Sequence, residues 1–161
     1  MIMKKGLALI AAIGLLSISC NPLGPSRERG IQTAIEQVKE TMRVALPDVP
    51  HPEPYEYEDA GDCALVPGLN STKESLRYQV QVPLPAGDDG VQRQARAIQH
   101  WVDKGATIRE LPYRPGPPNE VNYEGGSIMA FSTGGRPDMP RRTAHAEFWI
   151  VATTPCIPKA E

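Results

Sequence analysis

Three cysteines and one histidine–glutamate pair carry most of the reactive chemistry in this 161-residue sequence. A cysteine thiol can accept a lipid, form a disulfide, bind a metal or act as a nucleophile. Cys20, Cys63 and Cys156 form no CxxC motif and have no histidine at metal-ligand spacing. Cys156 lies in a stiff Thr-Pro-Cys-Ile-Pro segment and not at an electropositive helix start. The sequence therefore gives no support for a metal site or a catalytic thiol.

Residues 1–19 have the layout of a secretory signal peptide. Lys4 and Lys5 precede an apolar run from Leu7 to Leu16, and small residues follow up to Cys20. The apolar run is about ten residues long, well short of the roughly 20 that a membrane-spanning helix needs. This segment is therefore predicted to be a signal and not a transmembrane anchor.

The same segment resembles the signal of bacterial lipoproteins, in which the cysteine after the cleavage site is diacylated and becomes the first residue. Leu16 stands four residues before Cys20, whereas lipoproteins usually have their leucine three residues before. An ordinary cleavable signal that leaves Cys20 free is the alternative. The resemblance implies that residues 20–29 are a lipidated tether on the extracytoplasmic side of the cell membrane. Lipid would do the anchoring, because residues 20–161 carry more acidic than basic side chains.

The other two cysteines form an even pair once Cys20 is assigned to lipid. In an exported chain, which enters an oxidising space, such a pair is most simply a disulfide. A bond between Cys63 and Cys156 would stabilise the fold by about 4–5 kcal/mol if chain entropy alone counts. We therefore expect these two residues to be cross-linked.

The balance of charge excludes a nucleic-acid binder that relies on bulk electrostatics. The chain has 17 Lys+Arg against 19 Asp+Glu, a formal net charge of -2. No basic cluster is dense enough to release many counterions from a nucleic acid. We expect no nucleic-acid partner, and we assign no cofactor.

Two helices are predicted from apolar residues at steps of three and four. The first begins near Gly30 and ends before Pro47, and the second is capped by residues 87–89 and stops at Gly105. The predicted apolar stripe of the first helix is Ile31, Ile35, Val38, Met42 and Ala45, and that of the second is Val91, Ala95, Ile98 and Val102.

Strands are predicted where apolar residues alternate with polar ones. The clearest segments are residues 74–84 and 144–153, with further strands at 107–111 and at 121–131, the latter interrupted by a bulge or turn at Gly125 and Gly126. Residues 63–66 are a possible short strand. The proline-rich and acidic stretch 47–62 is predicted to be an extended linker and not a strand. This order predicts a single α+β domain over residues 30–161, with a mostly antiparallel four- to five-stranded sheet and two helices packed on one face.

The sheet face opposite the helices is the expected contact surface for a partner. Strand 74–84 places Arg77, Gln79 and Gln81 on that face, and strand 144–153 adds Trp149, which the sequence leaves open as either an exposed contact or a packing residue of a second layer. The loop between the last two strands carries three arginines that suit phosphate or lipid headgroup oxygens, although simple solvation is the commoner role of such a loop. These arginines are Arg136, Arg141 and Arg142.

His145 and Glu147 share one face of the last predicted strand and form the only start of an acid/base or metal site. No third ligand or nucleophile can be placed beside them, so the favoured interpretation is that both are polar side chains in contact with water on the sheet surface. The acidic residues between Glu53 and Asp62 lack the spacing of a calcium loop, which favours a solvated segment. We therefore assign no catalytic residue and no metal.

Several short motifs together resemble the small actinobacterial envelope lipoproteins of the mycobacterial LppA type. They are the Asp62-Cys63 pair, the Arg-Tyr-Gln-Val-Gln-Val segment at residues 77–82, the helix end at Lys104-Gly105 and the Thr-Pro-Cys segment at 154–156. The resemblance implies an anchored envelope domain, and it supplies no catalytic residues.

The sequence favours a lipid-anchored binding or interaction module of the bacterial cell envelope. Its expected partners are the membrane, through lipid on Cys20, and an envelope protein or cell-wall component. Two alternatives remain, an envelope hydrolase built on His145 and Glu147, and a prophage-encoded lipoprotein that excludes superinfecting phage.

Overall fold

A computed structural model describes residues 27–49, 55–63, 70–109, 119–134 and 145–159. The signal segment, Cys20 and the three loop arginines lie outside these residues. The helices are α1 (Arg27–Ala45) and α2 (Val91–Asp103). The strands are β1 (Tyr55–Asp62), β2 (Lys73–Pro83), β3 (Thr107–Ile108), β4 (Glu120–Tyr123), β5 (Gly126–Ser132), β6 (Glu147–Thr153) and β7 (Ile157–Pro158).

The seven strands within the described residues belong to one sheet in which every pairing is antiparallel. The order across the sheet is β1-β2-β6-β5-β4-β3, and β7 pairs with the start of β2. Both helices contact strands of this sheet and each other. The α+β class with an antiparallel sheet is confirmed, and the sheet is larger than the four to five strands predicted.

The core lies between the sheet and the two helices. Alternate residues of β2 and β6 bury their side chains against α1, as the alternating pattern predicted, and Phe148, Ile150 and Leu76 are fully enclosed. A second cluster joins α2 to β4 and β5 through Trp101, Val121 and Ile128. Burial of these apolar side chains on one sheet face is the main force that holds both helices there.

Helix α1 begins three residues earlier than predicted, at Arg27, so residues 27–29 of the predicted tether are helical. Arg27 forms an ion pair with Glu74 at the start of β2. Glu28 lies in the first turn, where a negative charge is favourable. The apolar stripe could not reveal this extra turn, because the turn is held by charge.

Helix α2 buries only part of the predicted stripe, in which Ile98 is buried and Val102 is half-buried. Val91 and Ala95 are exposed, whereas Arg93, Ala97 and Trp101 are buried. Arg93 is tolerated inside because its guanidinium donates to the Ala45 carbonyl, at 3.0 Å, and to two carboxylates. The apolar-stripe rule failed here since it treats every arginine as a surface residue.

The acidic segment predicted as a linker is the edge strand β1. It pairs residue by residue with β2, from Tyr55 opposite Gln81 to Asp62 opposite Glu74. The segment Glu56–Asp62 is exposed or half-buried throughout, so β1 adds little apolar burial. Charged side chains are common on edge strands because they discourage pairing with other chains. The acidic composition therefore marked an edge and not a linker.

The predicted strand 121–131 is a hairpin of β4 and β5. Its two-residue turn, Glu124-Gly125, has positive φ at both positions, 49° and 80°. Such turns match the twist of the strands that they connect. A side chain at Gly126 would lie 2.2 Å from the Thr153 carbonyl oxygen, so only glycine fits the close strand contact there.

Candidate functional site

The candidate site is the face of the sheet turned away from both helices, which we call the distal face. Strand register places its residues in three cross-strand rows. The aromatic row is Gln81, Trp149 and Phe131; the mixed row is Tyr57, Gln79, Val151, Met129 and Glu120; the polar row is Asp59, Arg77, Thr153, Ser127, Asn122 and Thr107. Arg77, Gln79, Gln81 and Trp149 thus share one surface, as the sequence predicted.

The aromatic row is the most buried part of the distal face. Phe131 and Trp149 stack with ring centroids 5.7 Å apart and planes inclined by 13°. Gln81, expected to be exposed, is only 4% exposed, and its amide donates a hydrogen bond to the buried carboxylate of Glu147. Gln81 therefore binds within the protein and is removed from the expected contact residues.

The side chain of Trp149 is half-buried. It is thus intermediate between the exposed contact and the packed residue that the sequence left open. Its indole nitrogen is buried and donates to no acceptor within the part of the chain that the structure describes. A buried donor without a partner costs about 1–3 kcal/mol. Stacking on Phe131 offsets part of that loss.

The mixed row is half-exposed and combines apolar and polar groups. Gln79, Met129 and Val151 are half-buried, and Tyr57 at the edge is 41% exposed. Glu120 closes the row and is buried, with its carboxylate 2.9 Å from the guanidinium of Arg109. This row provides contact area between the buried aromatic row and the polar row.

The polar row contains only hydrophilic side chains across six strands. Arg77 donates to Asp59 at 2.8 Å, and both residues keep much of their side chains in water. Thr153 and Ser127 are half-buried, while Asn122 and Thr107 are exposed. Sequence inspection missed this row, since its members come from six separate strands whose register the sequence does not reveal.

His145 and Glu147 differ in their exposure to solvent. His145 is exposed before β6 begins, whereas Glu147 is buried against Gln81, and its backbone pairs with Thr133. No group of three His, Cys, Asp or Glu residues able to hold a metal occurs in the ranges described. The predicted contact residues Arg136, Arg141 and Arg142 lie outside those ranges.

Cys63 and Cys156 form the expected disulfide, with their Cα atoms 6.1 Å apart. Cys63 directly follows β1, and Cys156 directly precedes β7, so the bond joins the two segments that flank the start of β2. It therefore ties the weakly buried edge strand to the end of the domain.

Charged groups away from the distal face connect the two helices. Asp48 receives two hydrogen bonds from Arg93, which lower the pKa of its carboxyl from 3.8 to about 2. Hydrogen bonds from Lys104 and His100 lower the pKa of Glu40, although partial burial opposes them. Because each of these groups already has a partner in the fold, we assign this cluster a structural role.

Comparison with protein-family models, curated proteins and solved structures finds no match to this chain. Within the described ranges, no helix is long and apolar enough to cross a membrane.

Proposed function

We propose that this protein is a lipid-anchored binding module on the extracytoplasmic side of a bacterial cell membrane. The lysine pair, short apolar run and Cys20 at the front of the sequence support attachment through lipid. The disulfide between the other two cysteines supports export, because such bonds persist in oxidising compartments.

The distal face is the proposed binding surface, and the observation that carries this assignment is its arrangement in rows. Half-exposed Trp149, Met129 and Val151 lie beside Gln79, and the Arg77–Asp59 pair borders them. Binding surfaces commonly combine a contact area rich in Trp, Tyr and Met with a polar rim. Both helices pack on the other face, so neither of them covers these residues.

The module is proposed to bind and not to catalyse. Glu147 is committed to a buried hydrogen bond with Gln81, and His145 lies exposed in a different environment. An acid/base pair needs both groups within reach of one substrate atom.

Anchoring is tested by mass spectrometry and membrane fractionation of the full chain. We expect the mature protein to start at Cys20 with acyl groups attached, and the Cys20→Ser variant to leave the membrane fraction. The double variant Cys63→Ser/Cys156→Ser is the matched control and should stay on the membrane. A purified protein that retains residues 1–19, or that has an unmodified Cys20, would contradict lipid anchoring.

The binding surface is tested by photo-crosslinking in cells. A crosslinking residue at Gln79 on the distal face is expected to give adducts with an envelope component. The same residue at Gln32, exposed on α1, is the control and should give none. Equal labelling from both positions would show that the distal face is not a specific contact.

A further inference from the structure

The polar row is a continuous hydrophilic track across the sheet. The polar row crosses six strands, and neighbouring strands lie about 4.8 Å apart, so its five inter-strand spacings give a length of about 24 Å. Its central members, Thr153, Ser127 and Asn122, carry two hydroxyls and one amide on adjacent strands. Hydroxyls and amides both donate and accept hydrogen bonds, so they suit a ligand with mixed donors and acceptors.

The charges beside this track cancel. Arg77 is paired with Asp59 at one end, and Glu120 is paired with Arg109 near the other. The charged residues of the polar and mixed rows are thus all paired within the described residues, and paired charges offer little attraction to an anionic or cationic partner. Charge complementarity therefore favours an occupant that is itself uncharged.

The neighbouring mixed row adds apolar contact beside the hydrogen-bonding groups. Val151 lies two residues before Thr153 on β6, and Met129 lies two residues after Ser127 on β5. Both apolar side chains are half-buried. Tyr57, at the edge of the row, offers an exposed ring. Sugar rings present hydroxyls at their edges and C–H groups on their faces, so they can use both rows at once.

We propose that the distal face binds a neutral polysaccharide strand of the cell wall, which lies along the polar row and rests against the mixed row. This inference deepens the proposed function and rests on the extracytoplasmic location given there. An extended polymer fits better than a single sugar, because the track is several ring lengths long and has no closed end in the described residues. Thr153, Ser127 and Asn122 supply the central hydrogen bonds.

The test is co-sedimentation of the full chain, purified in detergent, with cell walls stripped of protein by hot detergent and protease. We expect binding that a soluble neutral oligosaccharide, the N-acetylglucosamine tetramer, competes away. High salt should change binding little, since the contact is uncharged. The triple variant Asn122→Ala/Ser127→Ala/Thr153→Val should bind about tenfold more weakly or worse.

The matched control replaces three exposed helix residues, in the variant Gln32→Ala/Gln92→Ala/Gln99→Ala, and should bind as the unaltered chain does. Thermal unfolding of both triple variants checks that each is folded. Unchanged binding by the polar-row variant, no binding to walls at all, or a protein captured by crosslinking at Asn122 would each overturn the proposal. Cys20→Ser separates the two proposals, because it should abolish membrane attachment and leave wall binding intact.

Discussion

The two faces of the sheet are built from the same strands but differ in side-chain burial and composition. On the core face, β2 and β6 place one apolar side chain after another against the helices, and almost all of them are fully buried. On the distal face, burial declines from the aromatic row to the polar row, and a buried Gln81–Glu147 pair lies among half-exposed residues. Stability thus depends mainly on one face, which leaves the other free to vary its chemistry.

The largest expected effect is the difference in stability loss between two substitutions on opposite faces of β6. Phe148→Ala should lower the free energy of unfolding by about 3–5 kcal/mol, because it leaves a cavity where a fully buried ring packs. Val151→Ala, on the distal face of the same strand, should cost about 1 kcal/mol or less. Urea unfolding followed by circular dichroism measures both. Equal losses would mean that the distal face is as tightly packed as the core.

The disulfide should have the next largest effect, because the edge strand that it ties down buries little surface. The Cys63→Ser/Cys156→Ser variant should lose about 2–4 kcal/mol. Hydrogen exchange should show the β1 amides losing protection before those of β2 and β6. Uniform loss across the whole sheet would argue that the bond supports the entire domain and not the edge.

A smaller difference should appear within the distal face. Gln81→Ala removes a hydrogen bond to the buried carboxylate of Glu147 and should cost about 1–3 kcal/mol. Gln79→Ala, two residues away on the same strand, should change stability by about 0.5 kcal/mol or less. Chemical denaturation of this matched pair tests whether burial really declines across the rows.

The smallest effect concerns alkaline pH at the border between the core face and β1. Burial, with a hydrogen bond to Glu56, raises the pKa of Tyr78 from 10.0 to about 12. The unfolded chain therefore loses this proton at lower pH than the folded protein, so stability should be intact below pH 10 and fall as pH rises toward 12. The loss near pH 11 should be about 1 kcal/mol. Tyr78→Phe should remove this component, and an unchanged pH dependence in that variant would assign it to another group.

The core face was predictable because alternation of apolar residues follows directly from strand geometry. Alternation within the predicted strands 74–84 and 144–153 puts Leu76, Val80 and Ile150 on the apolar face, and all three are buried. The edge strand β1 was not, since its acidic residues contribute no apolar alternation and it forms through backbone pairing with β2. Arg93 was missed for a similar reason, because its burial depends on carboxylates and a carbonyl that the fold brings to it.

The candidate site was predictable only in part. Alternation along β2 put Arg77 and Gln79 on the face opposite the core, and alternation along β6 added Trp149. The stacking of Trp149 on Phe131 and the polar row needed the register between strands, which depends on turns such as Glu124-Gly125. Alternation along each strand thus indicated which residues lie on the distal face but not which of them lie beside one another.

If Cys20 is acylated as proposed, the start of α1 at Arg27 limits the distance between the domain and the bilayer surface. Only seven peptide units connect Cys20 to Arg27, so an acylated protein could move at most about 25 Å from its lipid. Confinement to so thin a layer keeps the local concentration of any nearby polymer high, and a contact that is weak in dilute solution can then be occupied much of the time. If Cys20 is acylated as proposed, a shallow row of hydroxyls and amides is therefore sufficient for binding to a polymer near the membrane.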